Sequence, residues 1–111
     1  MVFTAQAEAP PLREDATGAV RVGDSNVLLE LVIHAFQDGA TPEAIAQRYS
    51  TLALSDVYAV VAYYLRHRGD VDAYLAKREQ LAVEMQQRID TTQDDLSEIR
   101  ARLLAHRKAG V

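Results

Sequence analysis

The sequence predicts a mainly α-helical fold with a short N-terminal β-hairpin, a three-helix unit that contains a helix-turn-helix, and a long C-terminal amphipathic helix. Three observations carry this prediction. Turn residues separate two short β-type segments before residue 23, and helix-capping residues recur between residues 25 and 69. After residue 70, apolar residues repeat in heptads.

Composition limits the class of protein. The chain has 111 residues, which fits one domain, and its 49% hydrophobic and 25% charged residues are typical of globular proteins. It has no cysteine, which excludes disulfides and thiolate metal sites and agrees with a cytoplasmic location. The net charge of −4 argues against a general nucleic-acid coat protein. The most apolar stretch, residues 27–36, is too short to span a membrane, and the start of the chain does not resemble a signal peptide.

The first 22 residues are predicted to form a tail followed by a hairpin. Residues 1–9 lack any period and are expected to form a flexible tail. Leu12–Glu14 and Val20–Val22 flank Asp15–Gly18, which has the composition of a turn. Two strands alone are marginally stable in water, so the hairpin must pack on a helix or pair with another chain. The predicted domain therefore covers residues 10–69, hairpin and helices together.

The first helix is predicted from about residue 27 to residue 38. Ser25 and Asn26 are suitable N-caps, and Gly39 suits the position after the last turn. Apolar residues cover so much of this helix that it is expected to be central in the core.

Two further helices form the predicted helix-turn-helix. Thr41, Pro42 and Glu43 begin the second helix, which ends near Tyr49. Ser55 is the predicted cap of the third helix, which carries apolar or aromatic residues on both sides and is therefore expected to be buried on more than one side.

Residues 70–111 form the second predicted region, a heptad-patterned helix. The a positions are Leu75, Ala82, Ile89, Leu96 and Leu103. The d positions are Val71, Arg78, Met85, Thr92, Ile99 and His106. If unbroken, this helix would be about 60 Å long, would project beyond a globular body and would need another chain to cover its stripe. Thr92 and Asp95 would instead favour a new helix start near residue 91, and both alternatives stay open.

A DNA-binding role for the helix-turn-helix is one hypothesis. Residues 41–69 are the only net-positive segment, and Arg48, Ser55 and Tyr58 are the candidate DNA contacts. The start of the third helix, however, offers none of the side chains that make bidentate base contacts, and Asp56 would repel phosphate. A packing scaffold is the favoured interpretation.

Enzymatic chemistry has little support. The three histidines, His34, His67 and His106, are too far apart in sequence for a local metal pair. The chain has no glycine-rich phosphate loop and no nucleophile elbow, and the acidic pairs Glu14–Asp15 and Asp94–Asp95 are interpreted as solvated. We expect no enzyme, no cofactor and no metal.

The end of the C-terminal helix is the strongest functional signal. Its apolar stripe is flanked by arginines, and such a helix pairs with a copy of itself or enters a partner's groove, unless it folds back on its own domain. The candidate partner-binding residues are Leu96, Ile99, Arg100, Arg102, Leu103 and Arg107. A homodimer is also expected, through the hairpin or the third helix, with Tyr58, Ala62 and Tyr63 as candidate contacts.

Four segments resemble a known family. They are Ala19–Gly23, Gly39–Ile45, Leu54–Arg68 and Val71–Leu75. Together, across about residues 10–78, they resemble the domain of unknown function 433, a bacterial family of VapB-like antitoxins. The resemblance implies a homeodomain-like three-helix fold with a small N-terminal β element, and a PIN-like ribonuclease toxin, encoded beside it, as partner. The family usually has Gly-Thr-Arg where this chain has Asp24–Asn26.

The resemblance and the heptads agree on a mechanism. An antitoxin would cover the nuclease active site, where carboxylates hold divalent metal. Arg100, Arg102 or Arg107 would pair with those carboxylates, and the apolar stripe would supply buried area. Weak repression of an operator is a further expectation. The alternatives are a stand-alone DNA-binding regulator and a self-assembling coiled-coil protein. The sequence leaves the identity of the partner and the oligomeric state open.

Overall fold

The structure is a computed structural model that describes the backbone of residues 2–109 and the side chains of residues 2–105. Within these residues, the predicted hairpin, three-helix unit and long C-terminal helix are confirmed. The elements are β1 (Leu12–Glu14), β2 (Val20–Val22), α1 (Leu29–Gln37), α2 (Pro42–Arg48), α3 (Leu54–Arg66) and α4 (Arg68–Ala109). No helix among the described residues is both long and apolar enough to cross a membrane.

The hairpin forms at the predicted residues. β1 and β2 pair antiparallel, with Leu12 opposite Val22 and Glu14 opposite Val20. Arg13 stabilises the next turn, since its guanidinium donates to the carbonyls of Gly23 at 2.8 Å and Ser25 at 3.1 Å. β2 packs against α1 and α3, so the hairpin leans on the helices as expected.

Asp15 organises the turn between the strands, so its interpretation as a solvated acid was wrong. Its Oδ1 accepts from Thr17 Oγ1 at 2.6 Å, from Thr17 N at 2.8 Å and from Ala19 N at 3.1 Å. Its Oδ2 pairs with Arg21 Nε at 3.1 Å. The hydrogen bonds from Thr17, with smaller contributions from Ala19 and Arg21, lower the pKa of Asp15 from 3.8 to about 2.

This lowered pKa predicts acid sensitivity of the hairpin. The ionised carboxylate is favoured in the folded state, so its contribution to stability is complete above the unfolded pKa of 3.8 and is lost as the pH falls towards about 2. Asp15→Asn should lower stability at pH 6 and should lose less stability than the native chain between pH 4 and pH 2. Urea unfolding at several pH values measures both effects. Glu14→Gln, at the neighbouring exposed acid, is the control and should leave the dependence of stability on pH unchanged.

The start of α1 differs from the prediction. Neither Ser25 nor Asn26 caps it: the helix begins at Leu29, and its N-cap, Leu28, makes no side-chain cap bond. Ser25 instead stabilises the turn between β2 and α1. Its hydroxyl donates to the Val22 carbonyl at 2.6 Å and accepts from Val27 N at 3.2 Å. A bridge between Arg21 and Leu28 keeps the chain extended up to the helix.

The predicted N-cap of α2 is confirmed, and the predicted N-cap of α3 is wrong. Thr41 Oγ1 accepts from Ala44 N at 3.1 Å and Pro42 occupies the first turn of α2, as predicted. Ser55 is not the cap of α3, because the helix starts earlier, at Leu54, with Ala53 as N-cap. The Ala53 carbonyl already accepts from the backbone N–H groups of Asp56 and Val57.

The core lies where α1, α2, α3 and β2 meet. α1 packs against both other helices of the three-helix unit, which confirms its central position. The largest fully buried side chains come from all four elements: Val22, Val32, Ile33, Ile45, Val57 and Val60.

Tyr64 connects α1, α3 and the first turns of α4. Its ring is buried and meets Phe36 edge-on at a centroid distance of 6.2 Å. Its hydroxyl accepts from Gln37 Nε2 at 3.0 Å and donates to Asp72 Oδ1 at 3.1 Å, while the Arg68 guanidinium lies over the ring. The buried hydroxyl is therefore satisfied on both sides.

Gly23 holds the turn after β2 close to α3. Its φ of +56° lies in the left-handed region, and a Cβ there would lie 2.5 Å from Asp56 Oδ2. Gly23→Ala is therefore expected to lower the free energy of unfolding by about 2–4 kcal/mol. Gly18→Ala is the control: its φ is also positive, but its nearest contact would be 3.9 Å away, so about 1–2 kcal/mol is expected. Equal losses in urea unfolding would contradict the close approach to Asp56.

α4 is one continuous helix from Arg68 to Ala109, so the alternative break near residue 91 does not occur. The Thr92 hydroxyl donates to the Arg88 carbonyl four residues earlier, at 2.9 Å, rather than capping a new helix. The chain divides between residues 73 and 74 into two compact units. Val71, a predicted d position, is buried within the first unit.

Candidate interaction surfaces

An exposed apolar stripe runs along α4. We define the α4 stripe as Met85, Ile89, Leu96, Ile99 and Leu103. Each of these side chains is between 44% and 66% exposed. Their spacing of three, four or seven residues places them on one side of the helix, and Thr92 is the polar member of the same row. This stripe has the character of one half of a helix–helix or helix–groove contact.

The arginines near the stripe differ in their surroundings. Arg102 Nη2 lies 2.8 Å from Glu98 Oε1, four residues earlier on the same helix, and both side chains are well exposed. Arg100 follows Leu96 by four residues, so it lies beside the stripe. Among the described side chains it makes no ion pair. Arg107 lies outside the residues whose side chains the structure describes, as does His106.

The predicted DNA-contacting face is acidic where α3 begins. The Tyr58 hydroxyl donates a hydrogen bond to the Glu43 carboxylate, which lowers the pKa of Glu43 and raises that of Tyr58. Asp56 lies in the first turn of α3. Arg48 and Ser55 are exposed, at the end of α2 and the start of α3. Two carboxylates near the helix end that would approach a major groove oppose phosphate contact.

The predicted dimer contacts lie on the outer face of α3. Tyr58 and Ala62 are exposed, and Tyr63 is half-buried, with its ring stacked on His67 at a centroid distance of 4.2 Å. The expectation that α3 is buried on more than one side is wrong for this chain, because only its inner side packs against the core. Leu54 and Leu65 are also exposed, and sequence reasoning missed both as contact candidates. The sequence pattern that could have indicated them is the presence of apolar residues on both sides of α3.

The remaining concave surfaces are shallow. A groove of about 310 Å³ runs between residues 8–10 and α3, and its wall on the α3 side is formed by Ala59, Ala62, Tyr63, Arg66 and His67. In the described part of the chain, no group of three or more His, Asp or Glu side chains is placed to hold a metal ion.

The geometry defines a small helical protein with exposed apolar helix faces. Residues 16–64 match the model of the protein family described as "Protein of unknown function (DUF433)", so this segment is similar to that family. The matched segment runs from the hairpin turn to Tyr64, and α4 lies outside it. No curated protein and no solved structure matches the chain.

Proposed function

We propose that this protein is a non-catalytic, cytoplasmic interaction protein of the antitoxin type, which binds and neutralises a PIN-like ribonuclease through α4. The observation that carries the proposal is the α4 stripe, whose five large apolar side chains are all substantially exposed. Apolar patches of this kind on small proteins are typical of protein-binding surfaces. The choice of nuclease rests on the resemblance to DUF433 antitoxins.

The end of α4 has the spacing of a groove-binding helix. Leu96, Ile99 and Leu103 occupy positions i, i+3 and i+7, and Arg100 occupies i+4. This is the anchor pattern by which an amphipathic helix enters an apolar groove. The three apolar anchors supply buried area, and the arginine supplies a charge at the edge of the contact.

The arginine fits the chemistry of the proposed target. A PIN-like nuclease uses carboxylates to hold divalent metal for phosphodiester cleavage. Arg100 is free to form a bidentate pair with such a carboxylate, whereas Arg102 would first have to leave Glu98. Pairing of the carboxylates with arginine would compete with metal binding and inhibit cleavage.

DNA binding is the second candidate, supported by the arrangement of α2 and α3 around a short turn. Glu43 and Asp56 near the amino end of α3 weigh against it for the free protein. Operator binding by the free chain that falls steeply with salt would favour the regulator over the antitoxin.

The test of the proposed function is co-purification. The tagged chain is expressed together with the product of the neighbouring gene, which the proposal expects to be a PIN-like ribonuclease, and the mass of the purified material is measured by light scattering. A stable complex containing both chains is expected. A homo-oligomer of this chain that leaves the nuclease unbound would contradict the proposal.

A further inference from the structure

The second compact unit leaves the α4 stripe without a covering layer of its own. This unit covers residues 74–111, and its described residues belong to one helix. A single helix cannot bury its own apolar side, and Met85, Ile89 and Leu96 on the stripe are each at least 44% exposed. Apolar residues at the a and d positions of heptads are the pattern by which two helices pack side by side. The charges beside the stripe then decide which helix fits.

The charged residues that flank the stripe alternate in sign. At the g positions of the heptads lie Arg88, Asp95 and Arg102, and the e positions include Glu79 and Arg100. Among these residues, only Arg102 makes an ion pair within the described part of the chain, with Glu98. A fitting partner helix must therefore place a base beside each of the two flanking acids and an acid beside Arg88 and Arg100.

We propose that a second copy of this chain covers the α4 stripe, with the two α4 helices antiparallel and the two-fold axis level with the bond between residues 90 and 91. Because the heptads then run in opposite directions, the a positions of one helix meet the d positions of the other. Each layer holds at least one large apolar side chain, and the small Ala82 meets the large Ile99. The stripe is then complementary to itself, as a two-fold interface requires. The layers, each of which occurs twice, are Met85 with Leu96, Ile89 with Thr92, and Ala82 with Ile99.

In this register, acids meet bases on both flanks of the contact. Arg88 of one chain lies level with Asp95 of the second copy, to within about 3 Å along the helix axis. Glu79 lies equally close to the level of Arg100 of the second copy. Each pair occurs twice, so the dimer contains four ion pairs between the chains. The other flanking positions between residues 79 and 102 bring no like charges together, since Gln86 meets Gln93 and Leu81 meets Arg102.

Other registers lack this match. Sliding one antiparallel helix by one heptad brings Arg88 onto Arg88 of the second copy in one direction, and Asp95 onto Asp95 in the other. Parallel pairing would place Thr92 on its own copy in the core and leave Arg88 opposite Gln93, and would keep only the pair of Asp95 with Arg100. Flanking charges of this kind set the orientation and register of paired helices, while the apolar layers supply most of the affinity.

This inference does not rest on the proposed function, although the two share a surface. The dimer covers Leu96 and Ile99, so a nuclease bound there would compete with the second copy. A native chain that never dimerises would contradict the dimer alone. A monomeric variant that fails to bind the nuclease would contradict the proposed function alone.

The test is a charge exchange between two variants of the full chain. Arg88→Glu puts an acid beside Asp95 of an identical copy, and Asp95→Arg puts a base beside Arg88. Each variant alone should raise the dimer Kd at least about tenfold in sedimentation equilibrium, because attraction becomes repulsion at two places. An equimolar mixture should recover dimers, since an acid of one variant then meets a base of the other at both places. Recovery on mixing also shows that both variants are folded.

Asp94→Arg makes the same charge change at an f position, away from the stripe, and should leave the dimer intact. Orientation is tested with single cysteines, since the chain has none of its own. Ala82→Cys and Ile99→Cys should form a disulfide when mixed, and neither should do so alone. Four results would overturn the proposal: a native chain that is monomeric at all concentrations, charge variants that dimerise as the native chain does, a mixture of them that recovers no dimer, and a disulfide formed by Ala82→Cys alone.

Discussion

Replacing Leu96 and Ile99 together by glutamate is expected to weaken the proposed complex with a PIN-like ribonuclease by about 100-fold or more. Both side chains are more than half exposed in the free chain and would be buried in the complex. Buried anchors of this kind contribute about 1–2 kcal/mol each, and a carboxylate buried in their place is left without a partner. Isothermal titration of the nuclease with native and variant chains measures the loss.

A matched control adds the same two charges to the other side of α4. Gln87 and Ala101 lie at least about 140° around the helix from Leu96 and are exposed. Gln87→Glu with Ala101→Glu should bind within about threefold of the native chain. If the control loses as much affinity as the stripe variant, general charge repulsion rather than the α4 stripe explains the effect.

Ile33→Ala is expected to have the largest effect on folding. Ile33 lies in the middle of α1 and is fully buried in the core. Removing its three outer carbons leaves a cavity, at a cost of about 2–5 kcal/mol. This is a large part of the about 5–15 kcal/mol that stabilises a small domain.

Leu31→Ala is the control on the same helix. Leu31 is 41% exposed, so about 1 kcal/mol or less should be lost. Urea unfolding followed by tyrosine fluorescence compares the two variants. Equal losses would show that α1 does not pack in the core as described.

The elements predicted correctly depend on local chemistry. The turn Asp15–Gly18, the cap formed by Thr41 with Pro42 after it, and Gly39 after α1 each act within a few residues. Their conformations are therefore encoded by the segments themselves.

The errors occur where a competing contact decides. Ser25 has a typical capping side chain, but the β2 turn binds it first, and Val27 stays outside the helix. Val71 fits the heptad repeat, but the first compact unit buries it. The contact of Tyr64 with Gln37 spans 27 positions, and its contact with Asp72 joins two different helices, so no local pattern indicates either.

The candidate surfaces were partly predictable. A repeat of apolar residues on a charged helix indicates a stripe, and the structure leaves that stripe exposed. Which arginine is available was not predictable, because the Arg102–Glu98 pair depends on side-chain conformation. The apolar outer face of α3 was visible as an excess of apolar residues, and only the packing of the core shows which side is exposed.

The most direct test of the proposed function is RNA cleavage by the PIN-like ribonuclease, measured in the complex, after separation, and after this chain is added back. The proposal predicts that the nuclease is inactive in the complex, cleaves RNA with Mg²⁺ once it is separated, and is inhibited again by one equivalent of the native chain. Unchanged cleavage at a saturating concentration of the chain would contradict it.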